Sequence, residues 1–150
     1  MNNPEIVGQT NNVVAKLPLL AAAVALVGLI DSIYLTTKHF TGEAVPCSVI
    51  EGCEQVLTSS YAEVAGVPLA ALGAIAYFIA FSLAILAAFG NRLMWTLFSV
   101  QVVFMIVFTI WLFYLQAFVI GAFCQFCLLS AATTLVLFLI ALISKFRGFK

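Results

Sequence analysis

The stretch LMWTLFSVQVVFMIVFTIWLFYLQAFVIGAFCQFCLLSAATTLVLFLIALIS, residues 93–144, contains no charged residue between Arg92 and Lys145. It is 52 residues long. A helix needs roughly 20 apolar residues to cross the hydrocarbon layer of a bilayer, so the stretch holds two crossings folded back on each other. Its only glycine, Gly121, is the natural corner. Working back toward the N-terminus, the 28 residues between Glu63 and Arg92 are also uncharged and supply another helix. Residues 17–37 supply a fourth, bordered by Lys16 and Lys38 and interrupted by one charge, Asp31.

The expected spans are therefore 17–37, 67–89, 93–117 and 123–144, in an all-α, integral membrane four-helix bundle forming a single domain over residues 1–150. A cleaved signal peptide would be a shorter apolar run ending at small residues. Here Tyr34 and Leu35 run on into Lys38 and His39, so the first helix reads as uncleaved. Pro68 suits a first helical turn, where its missing N–H would be unpaired anyway.

Composition agrees. Of 150 residues, 65% are hydrophobic and 8% charged, against roughly 25% charged in a typical soluble domain. Six Lys plus Arg balance six Asp plus Glu, which leaves no basic field for nucleic acid. The distribution of cations is more informative than their number. Four crossings put both chain ends and the turn at Gly90, Asn91 and Arg92 on one side, with Lys16, Arg92, Lys145, Arg147 and Lys150. The other side holds Lys38 alone. By the positive-inside rule the termini are cytoplasmic and the loop between the first two helices is external, as expected for an inner (plasma) membrane protein.

That outer loop carries Glu43, Glu51, Glu54 and Glu63, and also Cys47 and Cys53. Cys124 and Cys127 lie just past Gly121, at the outer end of the last helix. All four cysteines therefore face the oxidising side. Four cysteines allow three pairings; spacing favours Cys47 with Cys53 and Cys124 with Cys127. The second pair is a C-x-x-C at a helix start, where unpaired N–H groups and the helix dipole favour a thiolate. Cys127 lies on much the same face as Cys124, roughly 4.5 Å deeper. A C-x-x-C closes a tiny ring and restrains little, so a bracing role explains it poorly. A four-cysteine zinc site would remove the reactive thiolates, and no metal is expected.

In the order of these motifs the chain resembles bacterial members of the vitamin K epoxide reductase family. The resemblance rests on Gly28 to Leu35 ending in Tyr-Leu, on Pro46-Cys47 and Gly52-Cys53, and on Val56, Leu57, Ser59 and Tyr61. It continues through Gly66-Val67-Pro68 with Gly73 and Tyr77, and ends with Cys124 to Cys127. It implies a quinone, ubiquinone or menaquinone, held in the bundle beside Cys127. It further implies that Cys124 exchanges with Cys53, that Cys47 receives attack from an external thiol, and that Ser59 helps hold the loop over the site. Vertebrate members place an asparagine and a tyrosine where this chain has Leu69 and Ala131. Simple quinone reduction is therefore expected rather than epoxide reduction, with Leu57, Ser59, Leu69 and Ala131 around the quinone.

The expected function is thus a quinone-linked thiol-disulfide oxidoreductase supporting disulfide formation outside the cytoplasm. No thioredoxin-like βαβ pattern occurs in the chain, so the dithiol donor is expected to be a separate thioredoxin-like protein, and lipid the only other partner. The alternatives are a structural or transporter-like four-helix protein with bracing disulfides, and a carrier sending electrons outward without quinone. Asp31 reads equally as a proton donor to the reduced quinone or as an interfacial carboxylate that caps a loop amide or pairs with Lys38. Gln101, Gln116 and Gln125 are expected to bond across helices. His39, the only histidine, reads as an interfacial loop residue.

Overall fold

A computed structural model describes residues 4–47 and 52–147, with side chains from Lys16 onward. Glu51 and Lys150, used above in the charge count, lie outside the described residues. Among these, four helices are long and apolar enough to cross a membrane: Lys16–Thr41, Leu69–Ala88, Arg92–Ile120 and Gln125–Phe146. The protein is an all-α, four-helix membrane bundle.

The helices are α1 (Pro4–Thr41), the short α2 (Cys53–Leu57), α3 (Leu69–Ala88), α4 (Arg92–Tyr114) and α5 (Gln125–Phe146). The two-residue strands β1 (Glu63–Val64) and β2 (Val67–Pro68) pair antiparallel between α2 and α3, with Glu63 opposite Pro68. Ala65 and Gly66 turn between them, both at positive φ. In the bundle, α1 lies against α3 and α5, and α4 closes the ring between α3 and α5.

Small residues set the spacing of α1 and α3. Ala21 and Ala25 on one helix, and Ala80 and Ala84 on the other, are fully buried at four-residue intervals. Such pairs let helix backbones approach closely where lipid supplies no hydrophobic drive. Gly28 continues the row, and a Cβ there would overlap the ring of Tyr77. Phe98 and Val102 of α4 and Leu137 of α5 fill the rest of the core. At the end near Arg92, Trp95 Nε1 donates to Ser144 Oγ at 2.8 Å, tying α4 to α5. Outward, Ile30, Phe104, Val107, Ile110 and Phe118 are largely exposed. A face this apolar requires lipid around it.

Several boundaries differ from the expected spans, each for a local reason. The first helix continues through Lys16 back to Pro4, because a charge ends a membrane crossing without ending a helix. The third does not stop at 117: its last turn, Leu115–Ile120, widens into a π-helix before Gly121 reverses the chain at φ 71°. The fourth starts at Gln125, with Cys124 extended as its N-cap. Pro68 likewise stands one residue before α3, as its N-cap in an extended conformation. The tight turn at Gly90 and Asn91 stands where the sequence put it, with Asn91 Oδ1 accepting from the amides of Leu93 at 3.1 Å and Met94 at 3.4 Å.

Candidate functional site

The four cysteines meet at one end of the bundle. Cys47 and Cys53 form a disulfide, and Cys124 and Cys127 are free thiols. Cys53, Val56 and Cys124 make a small buried cluster, against which Cys47, Phe126 and Cys127 pack. Spacing had favoured the first pairing, and the second pair is adjacent as expected but reduced.

One contact holds the loop pair against the helix pair, and a second fixes the start of that helix. Gly52 lies so close to Phe123 that a Cβ would overlap the Phe123 carbonyl oxygen. Since Gly52 precedes Cys53 and Phe123 precedes Cys124, this backbone approach brings the two sulfurs' residues into one cluster. The second contact fixes the helix start. The Cys124 amide donates to Gln116 Oε1 at 3.2 Å, both residues being buried. Gln116 projects from the π-helical turn, a distortion that recurs at functional sites. It does bond across elements, as expected, but to a backbone amide beside the cysteine.

As N-cap, Cys124 passes its carbonyl to the Leu128 amide at 2.9 Å and leaves its sulfur at the helix start. The thiol is shifted down to about 7, chiefly because the Cys127 thiol hydrogen-bonds to it. The backbone amides of Cys127 and Phe126 add to that effect, while burial and the charge of Asp31 oppose it. The shift favours the thiolate, the form that attacks disulfides. Phe126, between the two cysteines, rests against Tyr34 of α1 with ring centroids 5.3 Å apart.

Beneath the cluster an open-mouthed cavity lies among all four long helices. Cys127 lines it from α5. So do Leu57, Ser59, Leu69 and Ala131, the residues grouped by the sequence. The Ser59 hydroxyl donates to the Val56 carbonyl at 2.7 Å, ending α2 at the cavity roof. It is a turn residue, and that turn faces the cavity. Tyr77 forms another wall, buried and anchored through its hydroxyl to Thr133 at 2.7 Å, Thr134 at 2.8 Å and the Ser130 carbonyl at 2.6 Å.

Asp31 also lines the cavity. It is buried, and its Oδ2 is the one buried side-chain oxygen or nitrogen among the described residues without a hydrogen-bond partner. Pairing with Lys38 does not occur: Lys38 bonds Glu43 Oε2 at 2.6 Å, because its long side chain reaches outward to the loop. His39 also departs from a plain loop residue. It lies within α1 and bonds Glu63 Oε1 at 2.7 Å, joining the first helix to β1.

Sequence reasoning missed Gly52 against Phe123, Gln116 under Cys124, and the Tyr77 hydroxyl network. A glycine immediately before a cysteine and a glutamine near a membrane turn were the available signals. Neither residue type names its partner.

An apolar chamber with one orphaned polar atom and a thiol in its wall fits a flat, mostly apolar ring bearing polar oxygens. These features define a multi-pass membrane protein that sets a partly buried dithiol beside a disulfide and above a chamber among its four long helices. The family model for the vitamin K epoxide reductase family matches residues 19–142, most of the chain, and the protein belongs to that family. Membership carries oxidoreductase activity in general, the use of quinones, and an association with thioredoxin-like partners.

Proposed function

We propose that the protein takes two electrons from a dithiol of a separate thioredoxin-like partner, passes them from the loop cysteines to the C-x-x-C, and delivers them to a membrane quinone. The observation that carries this reading is the position of Cys127, which belongs to the cysteine cluster and also lines the cavity.

The chemistry proceeds by thiolate attack through mixed disulfides. The partner's thiolate attacks Cys47, breaking its bond to Cys53, and the partner's second thiolate closes the partner's own disulfide. Cys53 then attacks Cys124 in an oxidised C-x-x-C, releasing Cys127 as the leaving thiolate. Cys47 resolves that bond and restores the loop disulfide. The outcome is a loop disulfide over a reduced C-x-x-C, the arrangement described above.

A quinone held in the cavity supplies the sink, taking up two electrons and two protons. Leu57, Leu69 and Ala131 would enclose it, and Ser59 would keep the roof closed over it. Leu69 and Ala131 offer no polar group, which favours simple quinones such as ubiquinone or menaquinone over the epoxide. The Gly52 approach to Phe123 holds the two pairs in register, and the Gln116 bond fixes the backbone at Cys124. The five-to-one distribution of cations supports a plasma-membrane orientation with cytoplasmic termini and periplasmic cysteines. A respiring quinone pool would then drive net disulfide formation outside the cell interior.

Occupancy of the chamber is tested by purifying the protein from its native membrane and extracting it with organic solvent. Stoichiometric quinone is expected from the wild type and its loss from Ala131→Trp, whose indole intrudes into the chamber from its wall. Equal recovery from both would remove the quinone from this cavity.

A further inference from the structure

Asp31 is the only acidic residue within the four membrane-spanning helices. It is 7% exposed, lines the same cavity as Cys127, and has an oxygen with no partner among the described residues. An unpaired ionised carboxylate inside a membrane costs several kcal/mol, and intramembrane acids commonly serve proton transfer. Asp31, Leu35 and His39 recur every fourth residue, so they share one face of α1. All three line the cavity. At the outer end of that face His39 also borders a polar cleft containing Lys38, Glu43, Glu54 and Glu63.

The other ionisable groups facing the cavity are His39 from α1, Tyr61 from the loop, Tyr77 from α3 and Cys127 from α5. No ionisable residue of α4 lines it. His39 is bonded to Glu63, and the Tyr77 hydroxyl to Ser130, Thr133 and Thr134. Among the described residues no Lys or Arg lines the cavity to neutralise the carboxylate.

We propose that Asp31 is the proton carrier of the cavity, taking a proton released as the Cys124–Cys127 dithiol closes and giving it to a quinone oxygen. The inference rests on the quinone-linked reading above. Closing the dithiol forms one S–S bond and releases two electrons, together with the Cys127 S–H proton and, where Cys124 is still protonated, its proton as well. A quinone becomes a quinol by gaining two electrons and two protons. Where Cys124 starts as a thiolate the second proton comes from water, and Asp31 ends each turnover in its starting state. The link to the cysteines is electrostatic as well as spatial, since the charge of Asp31 is felt at Cys124.

The test uses the purified full-length chain and its Asp31→Asn and Asp31→Glu variants. In quinone-free protein, infrared difference spectra between the oxidised and reduced C-x-x-C should contain a protonated-carboxyl stretch that shifts in heavy water and vanishes in Asp31→Asn. With quinone and a reduced dithiol present, Asp31→Asn should slow quinone reduction by about 10²- to 10⁴-fold, the range for general acid-base groups. Its KM for quinone should change little, acetate or formate should restore part of the rate, and Asp31→Glu should keep most of it.

An Asp31→Asn protein reducing quinone at the wild-type rate, or a wild-type spectrum without the carboxyl band, would overturn the proposal. Should Asp31→Asn fail to fold, the wild-type and Asp31→Glu spectra decide: a carboxyl band in both, displaced in Asp31→Glu, supports it. If the wild type reduces no quinone, the quinone-linked reading fails. The quinone-free spectrum still reports whether a proton moves between Asp31 and the cysteines.

Discussion

Replacing Gly52 by alanine should separate the two cysteine pairs without unfolding the bundle. Gly52 has φ −104° and ψ 0°, a conformation open to alanine, so the backbone itself does not oppose the change. The obstacle is Phe123. The added methyl would overlap its carbonyl oxygen and lie 2.9 Å from its nitrogen and 3.1 Å from its carbonyl carbon. Comfortable contact between such atoms begins at about 3.5 Å. Both neighbours are backbone, so relief requires Gly52 or the Gly121 turn to move by about 1 Å. Cys53 or Cys124 moves with them. A displacement of about 1 Å in a reacting pair costs about 100-fold in rate. The assay is the rate at which a Cys53–Cys124 mixed disulfide accumulates in a Cys127→Ala background with its loop disulfide intact, after the pH is raised so that the Cys124 thiolate attacks Cys53 and releases Cys47. Gly52→Ala should slow it by about two orders of magnitude. Thermal unfolding should stay close to wild type, because Gly52 lies outside the alanine-lined core. Exchange at the wild-type rate would refute the role of this contact, and loss of exchange together with loss of the folded bundle would refute its locality.

Either Cys127→Ala or Cys47→Ala should trap a Cys53–Cys124 crosslink, because the resolving sulfur is gone; peptide mapping that finds Cys53 joined to Cys127 would reverse the two roles. With the loop disulfide intact, the ultraviolet thiolate absorbance of the C-x-x-C should rise with pH through about 7, as Cys124 loses its proton. Cys127→Ala removes the hydrogen bond that stabilises this thiolate, so the midpoint should move upward. Tyr77→Phe removes a buried hydroxyl that bonds α5 at three residues. It should destabilise the protein by about 1–3 kcal/mol in a denaturant titration, and an unchanged midpoint would show that water replaces those bonds.

The crossings were legible because charge is expensive in lipid, and Arg92, Lys145 and Glu63 bracket the uncharged runs without ambiguity. Helix ends were less so, since a helix continues through Lys16 into water when nothing there breaks it. The cysteines were legible by type and by their order along the chain. The loop pairing followed from short spacing, whereas the state of Cys124 and Cys127 depends on redox history that residue types do not encode. Gln116 and Tyr77 were harder still. Both are polar groups on apolar helices, and their partners, Cys124 and the Ser130 to Thr134 turn, lie on other elements. Asp31 announced itself by charge alone. Its lack of a partner became visible only once Lys38 was seen turned toward Glu43.

The most direct test of the electron path combines the purified protein, a ubiquinone or menaquinone, and a reduced thioredoxin-like dithiol, followed by the loss of quinone absorbance. The account predicts one quinone reduced for each partner disulfide formed, with that activity abolished in Cys127→Ala and Cys53→Ala. Disulfide formation without quinone loss, or quinone reduction that persists without Cys127, would contradict it.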